Sequence, residues 1–174
     1  MRKEMTHPYD VLELNSGAKF IFTPCPGTKN SDLVASIKTL KSAGATAIIS
    51  LLPDSEIDAL SVPNLGQEIS DQGMTWYQLP VVDDCAPEQL FFDAFNHVKD
   101  DLLNRYKAGE TLAIHCRGGS GRTGLMAAIL LLESGESWGN IKPQIQALRP
   151  KALTLTPHIN FLKQQYSLGD SYDN

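Results

Sequence analysis

Short apolar runs alternate along the chain with longer segments in which apolar residues recur at helical spacing. Residues 47–52 form an apolar run interrupted only by Ser50, the length and type expected of a strand covered on both faces. In residues 87–106, Phe91, Phe95 and Leu102 fall on one face of a helix. The pattern predicts strands at residues 19–23, 47–52, 76–82 and 111–114, and helices at 31–43, 64–72, 87–106, 123–133, 140–148 and from 156 onward.

Helix starts are predicted from capping residues and prolines. Ser31 and Asn140 are candidate N-caps, and Thr156 is a candidate cap followed by Pro157 at the first helical position. Pro87 suits the first turn of the long helix that follows it. Strands that alternate with helices predict an α/β fold, in which a central, mainly parallel, twisted sheet is flanked by helices on both faces.

The helix predicted at residues 123–133 is apolar almost all round, so it is expected to lie buried in the middle of the domain. The 174 residues fit one domain by length, with a core over about residues 18–168 and short polar tails. No repeat, low-complexity segment or internal linker interrupts the chain. The sequence therefore predicts a single domain over residues 1–174.

Composition and charge limit which kinds of partner and which cellular compartment we expect for the protein. The net charge of -5 disfavours nucleic acid and anionic membranes as partners, since both require a basic surface. The three cysteines, at positions 25, 85 and 116, form no CxxC pair, and the four histidines show no zinc-binding spacing. No signal peptide or membrane span is visible. We therefore expect a cytoplasmic protein without disulfides, metal or cofactor.

Candidate chemistry lies between the strand at residues 111–114 and the helix that follows it. Residues 115–124 read HCRGGSGRTG, and three closely spaced glycines allow the loop to turn its backbone N–H groups towards an anion. The helix N-terminus adds partial positive charge at the same place. Arg122 offers a planar fork to two phosphate oxygens. Cys116 lies at the mouth of this loop, where the surrounding dipoles and arginines favour the thiolate.

Residues 115–123 resemble the signature HCxxGxxR[ST] of the protein tyrosine and dual-specificity phosphatases. Further matches resemble the kinase-associated phosphatase family, also called cyclin-dependent kinase inhibitor 3, and the likeness covers about residues 24–165. These matches are Pro26-Gly27 before the first helix, Val62-Pro63-Asn64-Leu65, and Pro80 three residues before Asp83. The resemblance implies a dual-specificity phosphatase-like fold.

The resemblance also implies a role for each residue of the loop. Cys116 attacks phosphorus and forms a phosphocysteine, while Arg122 holds phosphate oxygens. Thr123 hydrogen-bonds the sulfur and helps it to leave, and His115 orders the loop. The remaining phosphate-binding positions are Arg117, Gly118, Gly119, Ser120 and Gly121. No metal is required, because the loop supplies the stabilising charge.

A leaving alkoxide or phenoxide needs a proton, and Asp83 and Asp84 follow the strand predicted at 76–82. In the family the acid stands three residues after one proline and four before another, which matches Asp83. Two alternatives stay open: Asp84 is the acid, or both aspartates only cap the next helix. Asp84 and Cys85 replace two glycines of the family pattern, and His158 stands where relatives carry a glutamine that positions the hydrolytic water.

The implied function is a phosphoprotein phosphatase acting on phosphotyrosine, with phosphoserine and phosphothreonine open as further substrates. A phosphorylated protein or peptide is the expected partner, and the resemblance adds a kinase. Phosphoinositides or other small phosphoesters are the alternative substrates. A phosphopeptide-binding scaffold and a rhodanese-type sulfurtransferase are the rival classes. A pure binder has no use for both Cys116 and Asp83, and sulfurtransferase loops are typically one residue shorter.

Overall fold

The computed structural model describes residues 6–29 and 31–168. Its strands are β1 (Asp10–Glu13), β2 (Lys19–Thr23), β3 (Ala45–Ser50), β4 (Thr75–Gln78) and β5 (Thr111–His115). Its helices are α1 (Leu33–Ser42), α2 (Asp54–Ala59), α3 (Leu65–Asp71), α4 (Gln89–Lys107), α5 (Gly121–Glu133), α6 (Trp138–Leu148) and α7 (Thr156–Tyr166). Residues 1–5 and 169–174 of the predicted polar tails lie outside the described residues.

The strands form one sheet in the order β1-β2-β5-β3-β4. β1 runs antiparallel to β2, and every other neighbouring pair is parallel. The predicted fold class is therefore confirmed. β5 lies in the centre of the sheet, so the loop that follows it emerges at the middle of the carboxyl edge. Loops at this edge are where open α/β sheets bind their ligands.

α5 is deeply buried in the core. Residues 122–131 of α5 are all buried, as the apolar sequence of this helix predicted. Gly124 lets α5 approach its neighbours closely, because a Cβ built there lies 2.5 Å from the Cβ of Ala152. No helix among the described residues combines the length and apolarity needed to cross a bilayer.

Two elements were not predicted from the sequence. β1 has four residues, of which only Leu12 is buried, so it shows too little alternation to be recognised. α2 has six residues and buries only Ile57, so it has no apolar stripe. The strand predicted at 76–82 begins one residue earlier and ends at Gln78.

Several predicted helix starts were wrong. Asp32, not Ser31, caps α1, and its side chain accepts a hydrogen bond of 2.8 Å from the Ala35 N–H. α6 begins at Trp138, so Asn140 lies inside it and is not its cap. α4 begins at Gln89, after Pro87, and Thr156 is already helical behind the cap residue Leu155. The predicted and observed helix starts differ by only one or two residues, a difference that local sequence does not decide.

Candidate active site

Backbone carbonyls of the loop between β5 and α5 accept hydrogen bonds that hold the loop in place. The Cys25 N–H donates to the Arg117 carbonyl at 3.0 Å, and the Arg149 Nε–H donates to the Gly119 carbonyl at 2.9 Å. Gly119 has a φ of +83°, and a Cβ there would lie 2.6 Å from the backbone carbon of Thr23. Only glycine fits this position, so β2 and the loop approach each other backbone to backbone.

Cys116 is 4% exposed, and its sulfur lies at the N-terminal end of α5. Its Sγ accepts hydrogen bonds from the Gly119 N–H and the Thr123 hydroxyl, both at 3.3 Å. Two donors and a helix N-terminus stabilise negative charge on sulfur. The geometry is therefore that of a thiol prepared to act as a nucleophile.

Arg122 is 2% exposed, and its guanidinium is fixed by a carboxylate that sequence reasoning missed. Its Nη1 and Nη2 donate to Oε1 and Oε2 of Glu56 at 2.7 and 2.8 Å, and Nη1 also donates to the Val81 carbonyl at 2.9 Å. Burial opposes the charge, but the hydrogen bonds that Arg122 donates to Glu56 and the charge interaction with Cys116 raise the pKa of Arg122 overall. Glu56 was missed because it lies on α2, the helix without an apolar stripe.

His115 forms hydrogen bonds both to β3 and to the start of the loop. Its Nε2 lies 2.5 Å from the Ser50 hydroxyl, which also accepts a 2.8 Å hydrogen bond from the Trp76 indole N–H. Burial lowers the pKa of His115 to about 4, so the ring is neutral at pH 7. Its Nδ1 lies 3.0 Å from the Cys116 carbonyl and must donate there, because that oxygen only accepts. Nε2 therefore accepts from Ser50.

Asp83 and Asp84 lie in the loop between β4 and α4, beside the arginine. The Asp83 side chain is 62% exposed, and its Oδ1 lies 3.4 Å from Nη2 of Arg122. Asp84 has a positive φ of 62°, which turns the loop sharply. Neither aspartate caps α4, whose N-cap residue is Glu88. The interpretation that both act only as helix caps is therefore wrong.

His158 joins this acid loop, residues 82–86, to the N-terminal turn of α7. The residue is 1% exposed, and its Nε2–H donates to the Cys85 carbonyl at 3.0 Å. Burial lowers its pKa, so the ring is neutral at pH 7. Its Nδ1 is buried without a hydrogen-bond partner among the described residues. Sequence reasoning singled out His158, but not this contact with the acid loop.

These residues surround one cavity of about 430 Å³. Its wall combines residues 116–122, called the phosphate loop below, with the segments after β2 and β4, Leu60 at the end of α2 and the start of α7. Cys116, Arg122, Asp83, Asp84 and His158 all line it. Outside the cavity lining, the Thr123 hydroxyl contacts the Cys116 sulfur and His115 contacts the Cys116 carbonyl. A thiol, a fixed guanidinium and an exposed carboxylate around one cavity are the groups needed for phosphoryl transfer to sulfur.

Comparisons with known proteins agree with this geometry. Residues 26–166 match the family PTP-SAK, described as Swiss Army Knife protein, DSP-PTPase phosphatase domain. A curated relative, cyclin-dependent kinase inhibitor 3 of Rattus norvegicus, is 31% identical over 130 residues. That match covers 71% of this chain but only 58% of the rat protein.

Solved structures share the fold. A kinase-associated phosphatase with its catalytic-site cysteine replaced by serine has a TM-score of 0.81 at 22% identity, covering 96% of this chain and 99% of that one. PTPMT1 in complex with PI(5)P has a TM-score of 0.64 at 16% identity, covering 91% and 94%. Because their sequence identity is low, these structural matches show only that the folds are alike. The family match is made on the sequence and spans most of the chain. The chain belongs to the DSP-PTPase phosphatase domain family.

Proposed function

We propose that this chain is a metal-independent phosphoprotein phosphatase that works through a phosphocysteine on Cys116. The observation that carries the proposal is the convergence of Cys116, Arg122 and Asp83 on one cavity. The sulfur has two hydrogen-bond donors, and the guanidinium is already oriented by Glu56. Little reorganisation is then needed when phosphate binds, which is the condition for effective electrostatic stabilisation.

In the first step, the Cys116 thiolate attacks phosphorus, so that an S–P bond forms as the P–O bond to the leaving group breaks. Arg122 and the N–H groups of residues 117–122 bind the three equatorial oxygens. Asp83 gives its proton to the leaving oxygen. The Asp83 side chain is largely exposed and lies beside Arg122, so its carboxyl is at the mouth of the cavity. This position supports the role.

In the second step, water attacks the phosphocysteine and the S–P bond breaks. Asp83, now a carboxylate, accepts the proton of that water, and inorganic phosphate leaves. The Thr123 hydroxyl, 3.3 Å from Sγ, stabilises the thiolate as it departs. His115 keeps its proton throughout and holds the Cys116 carbonyl.

Phosphorylated proteins are the proposed substrates, and a cytoplasmic location and a kinase partner belong to the same proposal. The support is the relation to a protein named cyclin-dependent kinase inhibitor 3 and the net charge of -5, which disfavours anionic membranes. A phosphoinositide substrate is the second candidate, favoured by the PI(5)P bound to the fold neighbour PTPMT1.

The test is hydrolysis of an aryl phosphate in the presence of EDTA. Wild-type protein should turn over, Cys116→Ser should lose at least about 10³-fold of this activity, and Cys85→Ser should keep it. Retention of more than a few per cent of activity by Cys116→Ser would contradict the mechanism. Tight phosphopeptide binding without turnover would identify a binding module, and thiosulfate sulfurtransfer without phosphatase activity would identify a rhodanese-type enzyme.

A further inference from the structure

Two cationic side chains at the cavity are not used by the proposed mechanism. Three cations line the cavity, Lys29, Arg117 and Arg122. Arg122 is buried and its charge is balanced by Glu56. Lys29 and Arg117 are exposed, and neither has an ion pair among the residues that the structure describes. Their charge is therefore available to a ligand.

Lys29 is brought to the cavity by a segment that is bonded to the phosphate loop. The Cys25 N–H donates to the Arg117 carbonyl at 3.0 Å, and the Thr28 hydroxyl donates to the Cys25 carbonyl at 2.7 Å. The Gly27 N–H donates to the Ser36 hydroxyl at 3.2 Å and ties the same segment to α1. These contacts fix the backbone that carries Lys29 relative to the residue that carries the second cation.

The sheet order separates positive from negative charge around the cavity. β2 and β3 flank β5, and β4 lies beyond β3. The segment after β2, with Lys29, and the loop after β4, with Asp83 and Asp84, therefore approach the phosphate loop from opposite sides. A bound substrate therefore meets Lys29 on one side and the two aspartates on the other.

We propose that Lys29 and Arg117 form a second anion site that selects phosphopeptides with a carboxylate or a second phosphate beside the phosphorylated residue. The inference rests on the proposed function and adds a substrate class to it. An anionic membrane fits this site less well, because membrane recognition takes a cluster of four or more basic residues, while this chain is acidic. Ion pairs at an exposed rim give modest selectivity, about fivefold for the neighbouring charge.

The experiment measures the binding of two labelled phosphopeptides that differ only in Glu or Gln next to the phosphotyrosine. The protein is the Cys116→Ser form, which binds without turnover, with and without Lys29→Gln. The Glu peptide should bind about fivefold more tightly, and Lys29→Gln should abolish this preference. Raising the salt concentration should weaken it as well. Lys107→Gln is the matched control, since this exposed lysine ends α4 at the opposite edge of the sheet and should leave the preference intact.

A reversed charge, Lys29→Glu, should turn the preference towards the Gln peptide. Equal binding of the two peptides by the Cys116→Ser form, or a Glu preference that survives Lys29→Gln, would overturn the proposal. So would tighter binding to phosphoinositide vesicles than to either peptide. Aryl phosphate hydrolysis by wild type and by Lys29→Gln is measured in parallel and should agree within about twofold. If the wild-type protein does not hydrolyse aryl phosphate, the phosphatase function is contradicted. The peptide-binding measurements would still test the anion site independently.

Discussion

At the scale of single residues, the arginine that is asked to hold phosphate depends on a carboxylate from another element. Glu56 accepts two hydrogen bonds from Arg122, whose side chain is otherwise bound to the Val81 carbonyl. A guanidinium without such a partner can rotate away from the bidentate geometry that phosphate requires. Glu56 is therefore a positioning residue, since it acts through Arg122 and touches no reacting atom.

We expect Glu56→Gln to lower kcat/KM about 10- to 100-fold, because a displaced catalytic group typically costs that much. Inhibition by inorganic phosphate should weaken in parallel, since the same guanidinium binds it. Asp58→Asn removes an exposed carboxylate from the same helix and should have no effect. Wild-type kinetics and phosphate affinity in Glu56→Gln would show that Arg122 does not need this partner.

The identity of the general acid is also decided by single residues. Asp83→Asn should slow hydrolysis of a phosphopeptide about 10²- to 10⁴-fold and that of an activated aryl phosphate much less, because a poor leaving group needs the proton more. It should also remove the basic limb of the pH–rate profile. Asp84→Asn should leave both features intact. The reverse pattern would make Asp84 the acid, and no change in either variant would place the acid elsewhere.

At the scale of elements, sequence pattern identified those with a strong apolar periodicity and missed those without one. α4 and α5 were recognised because they bury long apolar faces, and β5 because it is an apolar run of strand length. α2 buries only one residue, so the sequence pattern predicted neither this helix nor the contact that Glu56 makes. The contact of His158 with the acid loop joins residues 73 positions apart and no local pattern encodes it.

This contact between α7 and the acid loop leads to a prediction. His158→Ala removes the donor to the Cys85 carbonyl, so the loop that carries Asp83 loses its anchor. We expect phosphopeptide turnover to fall about tenfold, the loss typical of one hydrogen bond. Aryl phosphate turnover should fall less.

Two further variants distinguish anchoring from a general loss of stability. His158→Gln keeps an N–H donor and should restore part of the activity, while His97→Ala removes an exposed histidine from α4 and should be silent. Equal losses on both substrates, without rescue by His158→Gln, would exclude an anchoring role in the proton-transfer step.

At the scale of the whole molecule, the parallel α/β architecture followed from the alternation of strands and helices, but the strand order did not. The order places β5 at the centre because β2 and β3 both pair with it, and these pairings join residues more than sixty positions apart. The phosphate loop was predictable because its motif is contiguous. The cavity around it was not, because five separate segments form its wall.

Buried neutral histidines should make the stability of the whole molecule depend on pH. The pKa of His115 is lowered by burial to about 4, whereas the unfolded chain binds the proton near pH 6.5. The unfolded state thus binds more protons below pH 6.5, so the stability is full above that pH and is lost as the pH falls towards 4.

His115 alone should lower the free energy of unfolding by about 2 kcal/mol between pH 7.5 and pH 5, as measured by urea unfolding. His7, whose pKa burial also lowers to about 4, should add to this loss. A His97→Gln variant should show the same pH dependence as wild type, because His97 is exposed. A stability that stays constant over this range would contradict the buried, neutral state of these rings.

The central claim is that phosphate is transferred to Cys116. Rapid quenching of the wild-type protein during turnover of an aryl phosphate, followed by peptide mass mapping, measures this directly. The account predicts a phosphate on the peptide that contains Cys116 within the first turnover, at up to one per molecule, and none in Cys116→Ser. Turnover without any phosphoenzyme, or a phosphate on a different residue, would contradict it.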